Sequence, residues 1–256
     1  MSNRIDQLFA GKRKGVLNIY CTAGFPELND TLPVMKALQQ NGVDIIELGM
    51  PFSDPLADGP VIQDSSTRAI SNGMSLKVLF EQLKNLRQEI HVPVLLMGYL
   101  NPVLLYGIEN FCKKCAEVGV DGAILPDLPM DEYESEYKPV FEKYGLHLVF
   151  LVTPETSEER IRKIDSVSKG FIYAVSSSST TGTDKNMGHQ QAYFERLESL
   201  KLKNPVLIGF GIKDKATFDA ATAHSNGGVI GTAFIRALEQ ATNLDSAIQQ
   251  FIAGVK

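Results

Sequence analysis

The amino-acid sequence predicts an α/β fold: a (β/α)8 barrel, or TIM barrel, formed as a single domain by residues 1–256 with a short N-terminal helix. The main observation is that eight short apolar segments alternate with segments of helical periodicity. The length of 256 residues suits one barrel of this kind. A weak internal repeat supports the barrel, because near residues 42, 119 and 227 a glycine stands between a helical segment and the apolar run that follows it.

Each predicted strand is a short apolar run bounded by glycine, proline or asparagine. The helical segments place apolar residues three or four positions apart, and several stop at glycine or asparagine. The predicted strands cover residues 15–21, 43–49, 93–98, 122–125, 147–152, 171–175, 205–209 and 228–231. The predicted helices cover residues 3–10, 29 or 31 to 40, 61–70, 76–90, 111–118, 132–144, 158–164, 192–200, 216–222, 234–238 and 244–252.

An open, doubly wound sheet is the competing architecture. It fits less well because such sheets usually have fewer strands, and because no Gly-x-Gly-x-x-Gly motif follows the first predicted strand. In a barrel, functional residues are expected at the C-terminal ends of the strands.

The composition describes a soluble globular protein, with 44% hydrophobic and 21% charged residues. A net charge of -5 without a long basic run argues against nucleic-acid binding. No apolar stretch approaches the ~20 residues of a membrane span, and the first residues lack the apolar core of a signal peptide. Three cysteines, an odd number, suggest a reducing compartment. We therefore expect a cytoplasmic protein without nucleic-acid or membrane partners.

Carboxylates cluster at the end of the second predicted strand. Glu47 lies inside an apolar run, where an acid is costly unless it is paired or functional. The proline-rich loop that follows carries Asp54 and Asp58. This arrangement suits proton transfer. A structural role stays open for Glu47 as a hydrogen-bonded buried acid and for Asp58 as a loop or capping residue, and Asp54 fits a structural or interfacial role better.

Glycines mark the ends of the last three predicted strands. Residues 176–182 read Ser-Ser-Ser-Ser-Thr-Thr-Gly, residues 209–212 read Gly-Phe-Gly-Ile, and residues 231–233 read Gly-Thr-Ala at the start of a helix. Any one of these glycines is explained as well by an ordinary turn. Together they predict a phosphate site, because backbone amides and a helix N-terminus bind phosphate at this position in barrels.

The strand ends between these two groups carry Tyr20, Leu125, Tyr173 and Phe210. Their side chains are consistent with a flat apolar pocket, and equally with ordinary barrel packing. The ligand implied is a phosphate ester with an aromatic or apolar body.

Two other mechanisms fit the sequence poorly. No lysine lies inside a predicted strand to form a Schiff base, and Lys213 follows the phosphate glycines. The four histidines are scattered, so no metal site is expected. Cys112 and Cys115 have Cys-x-x-Cys spacing, but they lie on a helical pattern without a second pair and are interpreted as ordinary cysteines. Of the mechanisms considered, acid–base catalysis by carboxylates fits the sequence best.

Residues 47–60 read Glu-Leu-Gly-Met-Pro-Phe-Ser-Asp-Pro-Leu-Ala-Asp-Gly-Pro, and this segment resembles the signature of the tryptophan synthase alpha subunit family. The motifs at residues 98–102, 126–129, 209–212 and 231–233 also fall where that family has its strand-end motifs. The resemblance implies cleavage of indole-3-glycerol phosphate to indole and glyceraldehyde 3-phosphate. It also implies a heterotetramer, alpha2-beta2, in which the beta subunit carries pyridoxal phosphate (PLP) and this chain carries no cofactor.

The resemblance also implies roles for individual residues. Glu47 and Asp58 correspond to the catalytic acids. The residues that correspond to the phosphate site are Gly182, Gly211, Gly231 and Thr232. Those that correspond to the indole pocket are Tyr20, Leu125, Tyr173, Thr181 and Phe210.

The loop after the sixth strand departs from the family pattern. Ser177 stands where many members have arginine, which leaves lid closure and its coupling to the partner open. Two alternatives to the assembled enzyme are a free-standing lyase that releases indole and a non-catalytic barrel that senses a phosphate ligand.

Overall fold

The computed structural model of the protein describes residues 3–175, 187–209 and 211–256. Its strands are all parallel and form a single sheet, in the order β5-β4-β3-β2-β1-β9-β8-β7-β6. The strand segments are Val16–Thr22 (β1), Ile45–Gly49 (β2), Val94–Met97 (β3), Gly122–Ile124 (β4), His147–Val149 (β5), Leu151–Val152 (β6), Ile172–Val175 (β7), Val206–Gly209 (β8) and Gly227–Ile230 (β9).

The predicted fifth strand is divided into β5 and β6 by the single residue Phe150. β5 pairs with β4 and β6 pairs with β7, so the two halves together join the ends of the sheet. The N–H of Tyr173 donates to the Phe150 carbonyl at 3.0 Å, which continues the ladder across the interruption. The predicted eight-stranded barrel is therefore confirmed, with one strand broken in its middle.

Helices follow the strands and cover the outside of the barrel. Their bounds are Arg4–Gly11 (α1), Thr31–Gln40 (α2), Pro60–Ser71 (α3), Leu76–Gln82 (α4), Leu86–Glu89 (α5), Leu100–Tyr106 (α6), Ile108–Val118 (α7), Met130–Glu132 (α8), Lys138–Lys143 (α9), Glu158–Val167 (α10), Met187–Ser199 (α11), Lys215–Ala223 (α12), Thr232–Glu239 (α13) and Leu244–Ala253 (α14). Every helix in the described residues is too short or too polar to cross a membrane.

Three helical regions differ from the sequence prediction. The predicted helix 76–90 contains a 3-10 turn at Leu83–Asn85, and the predicted helix 132–144 contains a π-turn at Tyr133–Tyr137. The sequence analysis predicts no helix at residues 100–106, where the structure has α6. Pro102 is the third residue of α6, where a backbone N–H has no partner within the helix, so proline is tolerated there.

The side chains of the strands alternate between the barrel interior and the layer under the helices. A compact inner cluster fills the barrel, and helix α1 closes its N-terminal end with Ile5 and Phe9, the latter ring 6.2 Å from that of Phe171. The inner cluster consists of Ile5, Phe9, Val16, Ile45, Leu95, Ile124, Val149, Phe171, Tyr173, Val175, Leu207 and Val229. The opposite end of the barrel is therefore the one left open for a ligand.

Candidate active site

Glu47 lies inside the barrel near the C-terminal end of β2 and is fully buried. Its position follows from strand alternation, because Ile45 two residues earlier belongs to the inner cluster. The Asn18 amide donates to Glu47 Oε1, while Oε2 has no hydrogen-bond partner among the described residues. Burial raises the pKa of Glu47 from 4.5 to about 8, and the Asn18 hydrogen bond offsets part of that rise. Glu47 is therefore largely protonated at neutral pH.

Asp58 lies on the loop between β2 and α3 and is held by Tyr99, the second residue after β3. The Tyr99 hydroxyl donates to Asp58 Oδ2 at 3.1 Å, and the N–H of Ala57 donates to the Tyr99 oxygen at 3.0 Å. The Gln63 side-chain amide donates to the Asp58 carbonyl at 2.8 Å. Burial raises the pKa of Asp58, and the hydrogen bond from Tyr99 opposes that rise. The loop that carries Asp58 is thus hydrogen-bonded to Tyr99, just beyond the C-terminal end of β3.

The charges of Glu47 and Asp58 both affect the pKa values of Tyr20 and Tyr173. Burial is the main cause of the raised pKa of Tyr20 on β1 and of Tyr173 on β7, and the charges of both acids add to it. Tyr20 and Asp58 also line one cavity at the open end of the barrel. The residues lining this cavity are Tyr20, Met50, Phe52, Pro55, Asp58, Ser66, Met97, Gly98, Tyr99 and Pro126. Both predicted acids therefore lie near Tyr20 and Tyr173.

Two glycines make room for the phenol rings. A Cβ on Gly49 would lie 2.2 Å from the Tyr20 hydroxyl oxygen, and a Cβ on Gly209 would lie 2.4 Å from the Tyr173 ring. Gly49 pairs with Thr22, two residues after Tyr20, and Gly209 pairs with Val175, two residues after Tyr173. Each tyrosine ring therefore leans along its own strand and lies over the backbone of the neighbouring strand. Both phenols consequently reach toward the open end of the barrel.

Gly231, one of the predicted phosphate residues, lies on the far side of Tyr20 from Glu47. Ile230 pairs with Ile19, so Gly231 follows beside Tyr20, which itself pairs with Glu47. Adjacent strands are about 4.8 Å apart, so Gly231 and Glu47 are separated by roughly 10 Å of backbone, the length of a small phosphate ester.

The backbone around this site suits an anion. Gly231 precedes the first residue of α13, and Thr232 is that first residue and is exposed. Gly211 is exposed and has φ +79, a conformation that favours glycine. Gly182, Thr181, Ser177 and Phe210 lie outside the described residues.

The expected position of Leu125 in the pocket is corrected by the structure. Leu125 is buried in the cluster between the sheet and the helices, whereas Ile124 belongs to the inner cluster. Successive side chains of a strand face opposite sides, so an error of one residue reverses the face. Ile124 is the residue of β4 that faces the barrel interior.

Two polar contacts of the site, made by Asn18 and Tyr99, do not follow from the sequence. Asn18 lies inside a predicted strand, and Tyr99 lies in the motif at residues 98–102, for which no individual role is predicted. A buried amide two residues before Tyr20 was the available signal for Asn18. No sequence signal pairs Tyr99 with Asp58, because the two residues are 41 positions apart.

The whole chain matches known proteins of one family. The family model described as tryptophan synthase alpha chain matches residues 7–255. The tryptophan synthase alpha chain of Flavobacterium johnsoniae is 55% identical over 99% of this chain and 100% of its own length. That of Parabacteroides distasonis is 51% identical over 99% of both chains. This chain belongs to the tryptophan synthase alpha chain family.

Solved structures support the same assignment. The tryptophan synthase alpha subunit of Legionella pneumophila superposes with a TM-score of 0.89 at 33% identity, covering 100% of this chain and 97% of the other. A Mycobacterium tuberculosis tryptophan synthase chain superposes with a TM-score of 0.87 at 29% identity, covering 100% and 99%. As a tryptophan synthase alpha chain, the protein is a carbon–carbon lyase of tryptophan biosynthesis that cleaves indole-3-glycerol phosphate to indole and glyceraldehyde 3-phosphate.

The cysteines of this alpha chain are part of its core. Cys112 and Cys115 are buried on α7, and burial raises the pKa of both thiols. They are therefore neutral and shielded at physiological pH. Within the described residues, no group of three or more histidine, cysteine, aspartate or glutamate side chains is arranged to hold a metal ion.

Gly49→Ala is expected to lower the turnover of indole-3-glycerol phosphate by tenfold or more, roughly the effect of a cost of 1–3 kcal/mol in the site. The added Cβ forces the Tyr20 ring away from β2 and into the cavity. The measurement is steady-state indole release, with Gly11→Ala as the control because a Cβ on Gly11 meets nothing within 4 Å. Turnover of Gly49→Ala equal to that of Gly11→Ala would show that the ring adjusts without cost.

Proposed function

We propose that Glu47 and Asp58 are the acid–base pair that cleaves indole-3-glycerol phosphate in this alpha chain. One observation carries the proposal: Glu47 is a fully buried carboxyl with one oxygen unpartnered among the described residues, and it shares its site with Asp58. An acid with a pKa near 8 can both deliver and accept a proton at neutral pH. A buried acid with a purely structural role would have both oxygens satisfied.

The proposed reaction is a retro-aldol cleavage. Protonated Glu47 delivers its proton to C3 of the indole ring, which forms an indoleninium cation. The Asp58 carboxylate accepts the ring N–H and stabilises the positive charge. The Glu47 carboxylate then takes the proton of the adjacent glycerol hydroxyl. The C–C bond breaks, its electron pair restores the indole ring, and the hydroxyl carbon becomes the aldehyde. Glu47 gives up one proton and later takes up one, so it ends the reaction protonated, as it began.

The phosphate is proposed to bind the backbone of Gly211 and Gly231 and the hydroxyl of Thr232. The N-terminus of α13 supports this assignment, because its free N–H groups and dipole favour an anion. Gly182 is assigned to the same site, although it lies outside the described residues. The proposed indole pocket contains Tyr20, Tyr173 and Ile124 among the described residues, and Thr181 and Phe210 outside them. Ile124 replaces Leu125 in this proposal.

The buried proton of Glu47 predicts a pH dependence of stability. The folded-state pKa is raised from 4.5 to about 8, so the folded protein holds a proton that the unfolded chain has lost. Stability is therefore fully present below pH 4.5 and declines as the pH rises toward 8, by up to about 1.4 kcal/mol per pH unit. Glu47→Gln, which cannot ionise, lacks this contribution.

The measurement is the Tm of both proteins across pH 5–9. We expect the Tm of Glu47→Gln to rise relative to that of the original chain up to about pH 8 and then to stay level. Glu109→Gln, which removes a surface glutamate paired with Lys143, is the matched control and should show no such trend. Parallel curves for Glu47→Gln and the original chain would contradict the raised pKa.

We also propose that the protein acts in the cytoplasm as an alpha2-beta2 heterotetramer with a tryptophan synthase beta subunit, and that PLP is bound by that subunit and not by this chain. Apolar side chains beside the active site support a partner surface. Leu56 on the Asp58 loop is 91% exposed, and Leu105 on α6 is 83% exposed. The Tyr99 hydroxyl, just before α6, bonds the loop next to Leu56, so the two leucines lie on neighbouring segments.

Leu105→Asp is expected to weaken the beta-subunit complex by about tenfold or more, because a charge would be desolvated in an apolar interface. Titration of the purified chain with beta subunit, followed by the increase in indole formation, measures the effect. Ile70→Asp is the control, since Ile70 is 39% exposed on a different helix, α3. Activity without any response to added beta subunit would favour the free-standing lyase.

A further inference from the structure

Asn18 is a polar residue in an apolar part of the barrel interior. It lies on β1 between Val16 and Tyr20 and is fully buried. Its pairing partners on either side, Ile45 and Val229, belong to the inner cluster. For packing alone, an aliphatic side chain would suit this position better than an amide.

The amide of Asn18 is in contact with the proposed catalytic acid. Asn18 Nδ2 donates to Glu47 Oε1. Asn18 Oδ1 and Glu47 Oε2 are both buried, and neither has a hydrogen-bond partner among the described residues. Two unsatisfied oxygens on a pair of bonded side chains are costly, which is typical of a site where function rather than stability selects the residue.

An amide suits a partner that changes its protonation state. Its N–H group donates to a carboxylate, and after rotation of the amide its oxygen accepts from a protonated carboxyl. An arginine or lysine would stabilise only the ionised acid, and an aliphatic side chain would stabilise neither form. We propose that Asn18 is a positioning residue that holds the Glu47 carboxyl in both protonation states of the catalytic cycle. This inference rests on the proposed catalytic role of Glu47.

The titratable groups near Glu47 cannot replace Asn18 in holding the Glu47 carboxyl in both protonation states. The titratable groups that act on it or on its immediate neighbours are Tyr20 and Cys21 on β1, Tyr173 on β7 and Asp58 on the loop after β2. Burial raises the pKa of both phenols, and burial followed by the charge of Glu47 raises that of Cys21 to about 12. These three groups are therefore neutral at physiological pH, and Asp58 has the same charge sign as ionised Glu47. Within the described residues, Asn18 is the side chain that donates to Glu47.

The test compares Asn18→Leu with the original chain in steady-state cleavage of indole-3-glycerol phosphate across pH 6–10. We expect kcat to fall about tenfold, with KM changed less than twofold, since the lost hydrogen bond acts on the acid and not on substrate binding. The Glu47 midpoint should move upward from about 8 by roughly one pH unit, because the hydrogen bond between Asn18 and the ionised carboxylate is stronger than the one between Asn18 and the neutral acid. Asn18→Ser keeps a hydrogen-bond donor and an acceptor, so its kcat and its Glu47 midpoint should lie between those of Asn18→Leu and of the original chain.

A direct titration makes the result independent of activity. Carbon-13 NMR of glutamate labelled at its side-chain carboxyl reports the Glu47 midpoint in the folded protein, and the Glu47→Gln spectrum identifies the resonance. Ser168→Ala is the control, because it removes another buried polar atom that lies away from the site and has no hydrogen-bond partner in the part of the chain that the structure describes. Its kcat, pH profile and Glu47 midpoint should all be unchanged.

The outcomes separate this inference from the proposed function. Turnover of Glu47→Gln at the original rate would overturn the catalytic assignment and this inference together. Loss of turnover in Glu47→Gln, combined with an unchanged kcat and Glu47 midpoint in Asn18→Leu, would overturn the role of Asn18 alone. A lower Tm in Asn18→Leu with an unchanged midpoint would assign Asn18 a structural role and would also overturn the inference.

Discussion

Glu47→Gln is expected to lower the turnover of indole-3-glycerol phosphate by roughly 10³-fold, within the range that general acid–base catalysis contributes. Glutamine has nearly the same shape and can accept the same hydrogen bond from Asn18, so the change removes mainly the transferable proton. Because Glu47 serves first as acid and then as base in the proposed cycle, both proton transfers are lost. KM should change little, since no binding group is removed.

Indole release by the purified chain, with and without beta subunit, measures the effect of Glu47→Gln. Glu109→Gln is the control for the same chemical change at the surface, where Glu109 pairs with Lys143. A retained Tm at pH 6 in Glu47→Gln would show that the loss is catalytic and not structural. A rate within tenfold of the original would exclude Glu47 as the proton donor.

Asp58→Asn is expected to lower kcat by about 10²-fold, the usual effect of removing one group that stabilises transition-state charge. Asparagine can still accept from the Tyr99 hydroxyl, so the loop should keep its anchor. What is lost is the negative charge that offsets the cation on the indole ring. The cost is large because the site is shielded from water, where charge interactions are strong.

Asp64→Asn is the matched control for Asp58→Asn, because Asp64 is exposed on the following helix, α3. Kinetics with indole-3-glycerol phosphate should show a normal rate for Asp64→Asn. The decisive comparison is with an analogue whose ring nitrogen is methylated and cannot donate. The original chain should lose rate on this analogue, whereas Asp58→Asn should lose little further. Equal losses in both proteins would place Asp58 away from the ring nitrogen.

The proposed site concentrates features that weaken the fold. Burial raises the pKa of Glu47, and Glu47 and Asn18 each have a buried oxygen without a hydrogen-bond partner among the described residues. Gly49 and Gly209 leave the strand ends without side chains so that two phenols can occupy that space. At the closed end of the barrel, by contrast, the residues in contact are the apolar Ile5, Phe9 and Phe171. This division matches the general trade between stability and function at active sites.

The sequence by itself determined the barrel, the order of its strands and the candidate acids. Strand and helix signals are local, so they can be read from periodicity and from breaker residues. Local signals did not predict the break at Phe150 within one strand, nor helix α6, which has Pro102 as its third residue. The resemblance of residues 47–60 to one family identified Glu47 and Asp58 before any geometry was known.

Only the tertiary structure decided which side chains meet. The face of Leu125, the bond from Tyr99 to Asp58 and the bond from Asn18 to Glu47 all depend on register and on contacts between residues far apart in the chain. The raised pKa of Glu47 has the same origin, because it arises from the loss of water around the side chain when the strands close. Sequence periodicity reports the neighbours along a chain, whereas hydrogen bonds and burial depend on neighbours in space.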